Sequence, residues 1–224
     1  MMKIIAHIHT DFPTKFGIPR QSGIVNTLKG MVVFEPEYRK PEAFRGLETF
    51  SHLWLLWQFS EVVRDTWSPT VRPPRLGGNK RMGVFATRSP FRPNAIGLSS
   101  VKLNSIDVHP EWGTVLMVSG ADLMDKTPIF DIKPYVPYTD SHPDAVGGFA
   151  DTHKDYSLNV NFPEVLLNQI PEDHRDALWG VLEQDPRPSY HEDPLRTYGL
   201  DFAGFNIKFE VRENLLTVCS VEPL

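Results

Sequence analysis

Twenty prolines run through the chain, and over its first two thirds they and the glycines break the apolar residues into short runs rich in Val, Ile, Phe and Trp. Long helices do not survive such spacing, because each proline removes a backbone donor and clashes with the preceding turn. Short β-branched and aromatic runs between Pro and Gly clusters predict strands instead. The expected strands are Lys3 to His9, Gly30 to Phe34, Leu53 to Phe59, Met82 to Ala86, Ile96 to Val108, Thr114 to Ser119 and Ile129 to Ile132. In the third, Leu53, Leu55, Trp57 and Phe59 alternate with Trp54, Leu56 and Gln58. Both faces are then largely apolar, which places that strand in the middle of its sheet.

The pattern changes after Tyr138. Thr139 to Tyr156 is rich in Asp, Gly, His and Ser and reads as an exposed loop or linker. Pro163 and Pro171 then stand where helices begin, at the first-turn position that tolerates a missing N–H. Val165, Leu166, Ala177, Leu178, Val181 and Leu182 supply an inward stripe, and Glu172 and Asp173 suit the N-terminal end of the second helix dipole. Phe205 to Val211 and Leu215 to Val221 flank a turn at Arg212 to Asn214 and predict a hairpin. The expected organisation is a mainly β, barrel-like body over residues 1–138, a linker over 139–156 and a small α/β unit over 157–224.

A chain of 224 residues buries a core without metal or disulfides. The single cysteine, Cys219, has no partner for an internal bridge, so a reducing compartment fits and a buried structural thiol is expected. The first residues hold no apolar signal-like core and no later run reaches spanning length, so a soluble cytoplasmic protein is expected. The net charge of −5 argues against a protein that coats nucleic acid. Between Arg64 and Arg92, however, Arg64, Arg72, Arg75, Lys80, Arg81, Arg88 and Arg92 face only Asp65, a net of +6 that leaves −11 for the remainder. Such a segment is the footprint of a phosphate-bearing partner met on one face, or a solvated loop whose charges pair with acids elsewhere.

The richest chemistry lies in Gly83-Val84-Phe85-Ala86-Thr87-Arg88-Ser89-Pro90-Phe91-Arg92-Pro93-Asn94-Ala95-Ile96-Gly97. Two arginines, hydroxyls and an amide sit on a proline-stiffened loop between strands, which suits an anion or a nucleotide, or else a rigid turn whose arginines pair with Asp. Arg72 to Arg81 adds four cations around Gly77-Gly78, yet it matches neither a P-loop nor a dinucleotide fingerprint. Phe16-Gly17-Ile18-Pro19-Arg20-Gln21 places a cation and an amide on a turn. The run Asp122 to Tyr135 reads as a hairpin tip and a polar-tipped strand whose carboxylates either receive a purine and ribose or cap the turn. His7 and His9 share a strand face, but nothing nearby completes a metal site. His52 lies beside Glu48 and Ser51 without a nucleophile elbow, which leaves a hydrolase unsupported. Trp54 and Trp57 read as core.

Phe16 to Gln21 and Arg72 to Gly97, with Arg45-Gly46-Leu47-Glu48-Thr49-Phe50-Ser51-His52-Leu53-Trp54, Asp131-Ile132-Lys133-Pro134-Tyr135 and Asp185-Pro186-Arg187-Pro188, resemble the TrmO (TsaA-like) tRNA methyltransferases from about Lys15 to Leu224. The resemblance implies a single-sheet β-barrel methyltransferase domain with a small α/β C-terminal domain, a homodimer, and methyl transfer from S-adenosylmethionine. The implied acceptor is N6 of threonylcarbamoyladenosine, 3′ of the anticodon in tRNA. It also implies a cofactor site at Pro19, Arg20, Gln21, Ser60, Glu61, Arg88, Ser89, Ala121, Asp122, Leu123 and Met124. Candidates for tRNA contact are Arg72, Arg75, Lys80 and Arg81, with Arg92 and Asn94 nearer the base and Arg187 and Tyr190 in the C-terminal unit. Ala95 stands where the family usually repeats proline. Asp131 is the candidate proton acceptor, with a structural role beside Lys133 and Tyr135 as the alternative. The competing class is a non-catalytic RNA-binding or regulatory module of the same fold.

Overall fold

A computed structural model describes residues 2–63, 66–73, 76, 80–153, 156–188, 193 and 195–224. In chain order its strands are β1 (Ala6–Thr10), β2 (Lys29–Phe34), β3 (His52–Gln58), β4 (Thr70–Val71), β5 (Met82–Gly83), β6 (Ile96–His109), β7 (Gly113–Ser119), β8 (Thr127–Pro134), β9 (Asn159–Asn161), β10 (Tyr198–Phe202), β11 (Phe205–Arg212) and β12 (Leu215–Pro223). The helices are α1 (Pro137–Asp140), α2 (Glu164–Leu167) and α3 (Glu172–Glu183).

Six strands close a barrel in the order β1-β2-β7-β6-β3-β8, with β8 returning antiparallel to β1. Closure leaves no unpaired edge. As the apolar alternation requires, β3 sits between two partners, β6 and β8, and turns Leu53, Leu55 and Trp57 into a core with Val101, Leu116, Val118 and Ile129. Its outer face is also covered in part, since the Trp54 ring tilts on Tyr135 and its Nε1 donates to Asp140 Oδ2 at 3.0 Å. Where β3 meets β8 the register shifts between Leu56 and Trp57, a bulge that bends the barrel rim.

Outside the barrel, β4 and β5 form a two-residue ribbon. The strand expected over Met82 to Ala86 is therefore cut to Met82–Gly83. Val84 turns inward, its N–H reaches Pro69 O at 3.0 Å, and Val84–Ala86 becomes a 3-10 turn. No described helix is long and apolar enough to cross a membrane.

The second core lies under the four-stranded sheet β10-β11-β12-β9, onto which α3 packs Ala177, Leu178, Val181 and Leu182. Val165 does not join the expected stripe and is 79% exposed, because α2 is a single turn with too short a face to bury. Three residues of the β1–β2 connection, Phe12, Val25 and Leu28, belong to this second core. The two bodies are also tied by His174 Nδ1 to Asp11 Oδ2 at 3.0 Å and Lys29 Nζ to Asp173 Oδ2 at 3.1 Å. Burial raises the pKa of Asp11, with His174 acting against it. Cys219 is exposed, contrary to expectation: it is the extra residue of a bulge, since Lys208 pairs with Ser220 and Phe209 with Val218.

Candidate active site

At one end of the barrel β3 stops where β6 starts, with Gln58 opposite Ile96 and the Phe59 N–H bonded to Ala95 O at 2.9 Å. The loop from β7 to β8 folds over this end. It is held to β1 by Thr10 Oγ1 donating to Leu123 O at 3.0 Å and by Lys126 N–H donating to Ile8 O at 2.7 Å. The turn carrying Pro19 to Gln21 is fastened alongside, since Gly23 N–H donates to Gly120 O at 2.9 Å. Gly120 has φ of +79° and lies against the Gly23 backbone, so only glycine is comfortable there. These stretches enclose a cleft of about 540 Å³, the size of a small-molecule site.

A buried relay forms the cleft floor. Gly97 faces Trp57 across β3 and β6, and a Cβ there would fall 2.2 Å from the indole, so the missing side chain is what lets Trp57 lie flat. Trp57 Nε1 donates to Ser99 Oγ at 2.9 Å, and Ser99 Oγ donates to Asp122 Oδ1 at 2.5 Å. Ser99 is fully buried, so the relay satisfies a hydroxyl that would otherwise be costly inside the barrel. Burial raises the pKa of Asp122, while the Ser99 hydrogen bond and the nearby Arg88 charge pull it down. A poised carboxylate over apolar walls is the arrangement expected of a functional cleft rather than of a core.

The cleft gathers Pro19, Arg20, Gln21, Ser60, Glu61, Arg88, Asp122, Leu123 and Met124, together with Arg92. Arg88 Nη1 donates to Gln21 Oε1, and the Gln21 amide donates to the Arg20 carbonyl. Arg92 Nη1 donates to Thr87 O at 3.0 Å, bracing the loop from within. Ser89 lines the adjoining groove instead. Ala121 lines neither and is buried. Asn94 is exposed and also outside both.

Asp131 stands apart from the cleft. It pairs with Leu56, whose neighbours Leu55 and Trp57 face inward, so Asp131 stands on the outer face, where its carboxylate meets Lys133 Nζ at 3.1 Å. It does not line the cleft. The carboxylates that do are Asp122 and Glu61.

Beside the cleft runs a wider groove of about 1690 Å³ between the barrel, the ribbon and the C-terminal body. Lys15, Arg20, Arg72, Arg81, Arg88 and Arg187 line it, and its described lining holds no carboxylate. Among the described residues Arg72, Lys80 and Arg81 form no ion pair. Arg81 only approaches Thr70 Oγ1 at 3.5 Å. Arg187 is held by Asp185 at 2.8 Å; burial raises the Asp185 pKa, but the Arg187 and Tyr156 hydrogen bonds outweigh it and the net shift is downward. Lys80 is exposed outside the groove. Arg75 and Tyr190, like Arg64, Asp65 and Gly77-Gly78-Asn79, lie outside the described residues.

Sequence reasoning missed several lining residues. Trp57 is core, as expected, but it is also the cleft floor. Lys15, Trp67 and Phe85 line the groove, as do Gly147, Phe149 and Ala150 from the stretch read as a linker. The available signal was large aromatics inside a Pro-rich basic stretch.

Comparison with known proteins fits this geometry. Residues 7–141 match the tRNA-methyltransferase O N-terminal domain and residues 155–224 the TrmO C-terminal domain. A tRNA (adenine(37)-N6)-methyltransferase of Escherichia coli K12 is 40% identical, the match covering 98% of this chain and 96% of the relative. A Pseudomonas aeruginosa protein whose name assigns it to the S-adenosylmethionine-dependent methyltransferases is 38% identical over 97% of this chain and 95% of its own. The crystal structure of TrmO from Pseudomonas aeruginosa superposes with a TM-score of 0.81 at 34% identity, covering 100% of this chain and 97% of that one.

Proposed function

Because the chain belongs to the tRNA-methyltransferase O family, we propose that its cleft holds S-adenosylmethionine and its groove carries a tRNA, the two meeting at the seam where Lys15, Arg20 and Arg88 line both. The chain is a tRNA methyltransferase acting on N6 of adenosine 37. The finer acceptor is threonylcarbamoyladenosine at that position, and the assembly is a homodimer. Leu98, an apolar residue half exposed at the cleft mouth, is suited to be covered by a second copy.

The observation that carries this reading is the junction of two sites of different chemistry: an apolar cleft with its own carboxylates opening into a groove lined by cations alone among its charged residues. S-adenosylmethionine supplies an electrophilic methyl on a sulfonium of formal positive charge, and Asp122 and Glu61 are carboxylates suited to that cofactor's cationic groups. Trp57, Phe59 and Leu123 exclude water from the reacting atoms. With that cofactor bound in the cleft, its methyl would pass to the adenosine nitrogen held in line with it as the carbon–sulfur bond breaks, and the nitrogen would lose its proton to a carboxylate or to water. Positioning supplies most of the rate. Asp122 lines the cleft and burial raises its pKa, which suits it to take that proton, whereas Asp131 stands outside the cleft beside Lys133.

Nucleoside mass spectrometry tests this. tRNA from a strain lacking its own such enzyme is incubated with the protein and S-adenosylmethionine. A methylated threonylcarbamoyladenosine is expected. Binding of tRNA with an unchanged nucleoside profile would instead favour the non-catalytic module, and so would a melting temperature unmoved by S-adenosylmethionine.

A further inference from the structure

We propose that Trp67 and Phe85 form a stacking platform for an unpaired nucleobase of the RNA other than the one methylated, a specificity subsite that rests on the tRNA reading above. The two-residue ribbon sets it up. Pairing of Thr70 with Gly83 and Val71 with Met82 brings the stretch leading into β4 alongside the stretch leaving β5, and the Trp67 and Phe85 rings stack at 6.0 Å with 30° between planes. Val84 is buried and Thr87 Oγ1 closes the turn on Val84 O at 2.9 Å, so Phe85 is held outward by its neighbours. The rings are nonetheless 50% and 71% exposed.

Large aromatics held in water by a rigid turn mark a binding surface. The groove's charge decides the occupant. Cations without a described carboxylate favour a polyanion, and a polyanion with flat apolar faces is a single-stranded nucleic acid. At 6.0 Å the rings are too close to admit a base between them, so the base stacks on the outer face of the pair. The same ribbon carries Arg72 just after β4 and Arg81 just before β5, so phosphate contacts and the stacking face lie on one small element. The target base must enter the cleft, which leaves the platform for a neighbour in the loop. Unpaired loop bases are the part of an RNA that aromatic side chains read.

The test is binding of a labelled anticodon stem–loop RNA, followed by anisotropy, to the full chain and to W67A, F85A and W67F. W67A and F85A are expected to weaken binding about tenfold, with W67F close to wild type and the S-adenosylmethionine dissociation constant unchanged. Repeating the titration with RNAs carrying one abasic loop position at a time should find one position at which W67A costs nothing further. Binding by W67A within twofold of wild type overturns the proposal. So does a loss that persists with every abasic RNA, or a changed sedimentation coefficient of W67A, which would make the pair a contact between copies of this chain. A wild-type protein that binds the stem–loop but transfers no methyl group sinks the methyltransferase reading and leaves the platform standing.

Discussion

The cleft and the groove share three cations yet are built by opposite means. Cleft side chains descend from the barrel: Trp57 and Gly97 face each other across β3 and β6, Ser99 lies inside, and Asp122 closes the end through a hydrogen-bonded relay. Groove side chains stand on short elements outside the barrel, the β4–β5 ribbon, the Val84 turn and the Asp185–Arg187 corner, and Arg72, Arg81 and Phe85 on the first two are exposed. A small ligand gains from a rigid site that excludes water, whereas a long polyanion is drawn by unpaired charge that needs little preorganisation. The difference implies that damage to the cleft should act through geometry, and damage to the groove through charge.

Gly97→Ala gives the largest separation. The new Cβ would fall 2.2 Å from the Trp57 indole, so we expect a loss of about 3 kcal/mol in stability. The melting shift given by S-adenosylmethionine should also disappear, both read by thermal denaturation with and without the cofactor. If the shift survived, Trp57 would not be the floor of the cofactor site.

Asp122→Asn comes next. Cofactor affinity should fall by about 2 kcal/mol, measured by calorimetry, with stem–loop RNA affinity unchanged. Its stability should move the other way. The Asp122 pKa is raised above its ordinary 3.8, so the folded state binds the extra proton. That favourable contribution is complete below the ordinary value and is lost as pH rises through the raised one. The amide escapes this loss, so the variant should melt no lower than wild type at neutral pH, and the gap should narrow in acid.

Arg72→Ala and Arg81→Ala probe the other half of the comparison. Each should weaken tRNA binding by about 1 kcal/mol and lower the slope of log K against log salt by about one, leaving cofactor binding alone. A loss independent of salt would make these arginines structural.

Asp131→Asn is the smallest. The carboxylate lies outside both sites in an exposed pair with Lys133, so stability should change by less than about 0.5 kcal/mol and turnover by less than about twofold. A large fall in turnover with intact cofactor binding would return Asp131 to the chemistry.

The barrel was legible because its strands carry their burial in their alternation; Leu53 to Gln58 shows both its neighbours and its faces. That Gln21, Glu61, Arg88 and Asp122 share one cleft followed only from the resemblance, since they come from four separate stretches that no spacing rule connects. That Asp122 lines the cleft and Asp131 does not was hidden from the sequence. It depends on which face each presents, and the bulge between Leu56 and Trp57 is invisible until β3 and β8 are paired. Ser99 was missed because a lone serine in an apolar strand gains meaning only from Trp57 and Asp122. Phe12, Val25 and Leu28 lie beside barrel strands in sequence but pack in the second core, which only tertiary structure reveals. Trp67 was not singled out and Phe85 fell within the strand expected over Met82 to Ala86, because their exposure is set by a ribbon too short for a pattern.

The most direct measurement is a crystal structure of the full chain with S-adenosylhomocysteine bound. The division between cleft and groove predicts the ligand over Trp57 and Leu123, with its sulfur on the side that faces the seam with the groove. Density for it against Arg72 and Arg81, or at the far end of the barrel, would contradict that division.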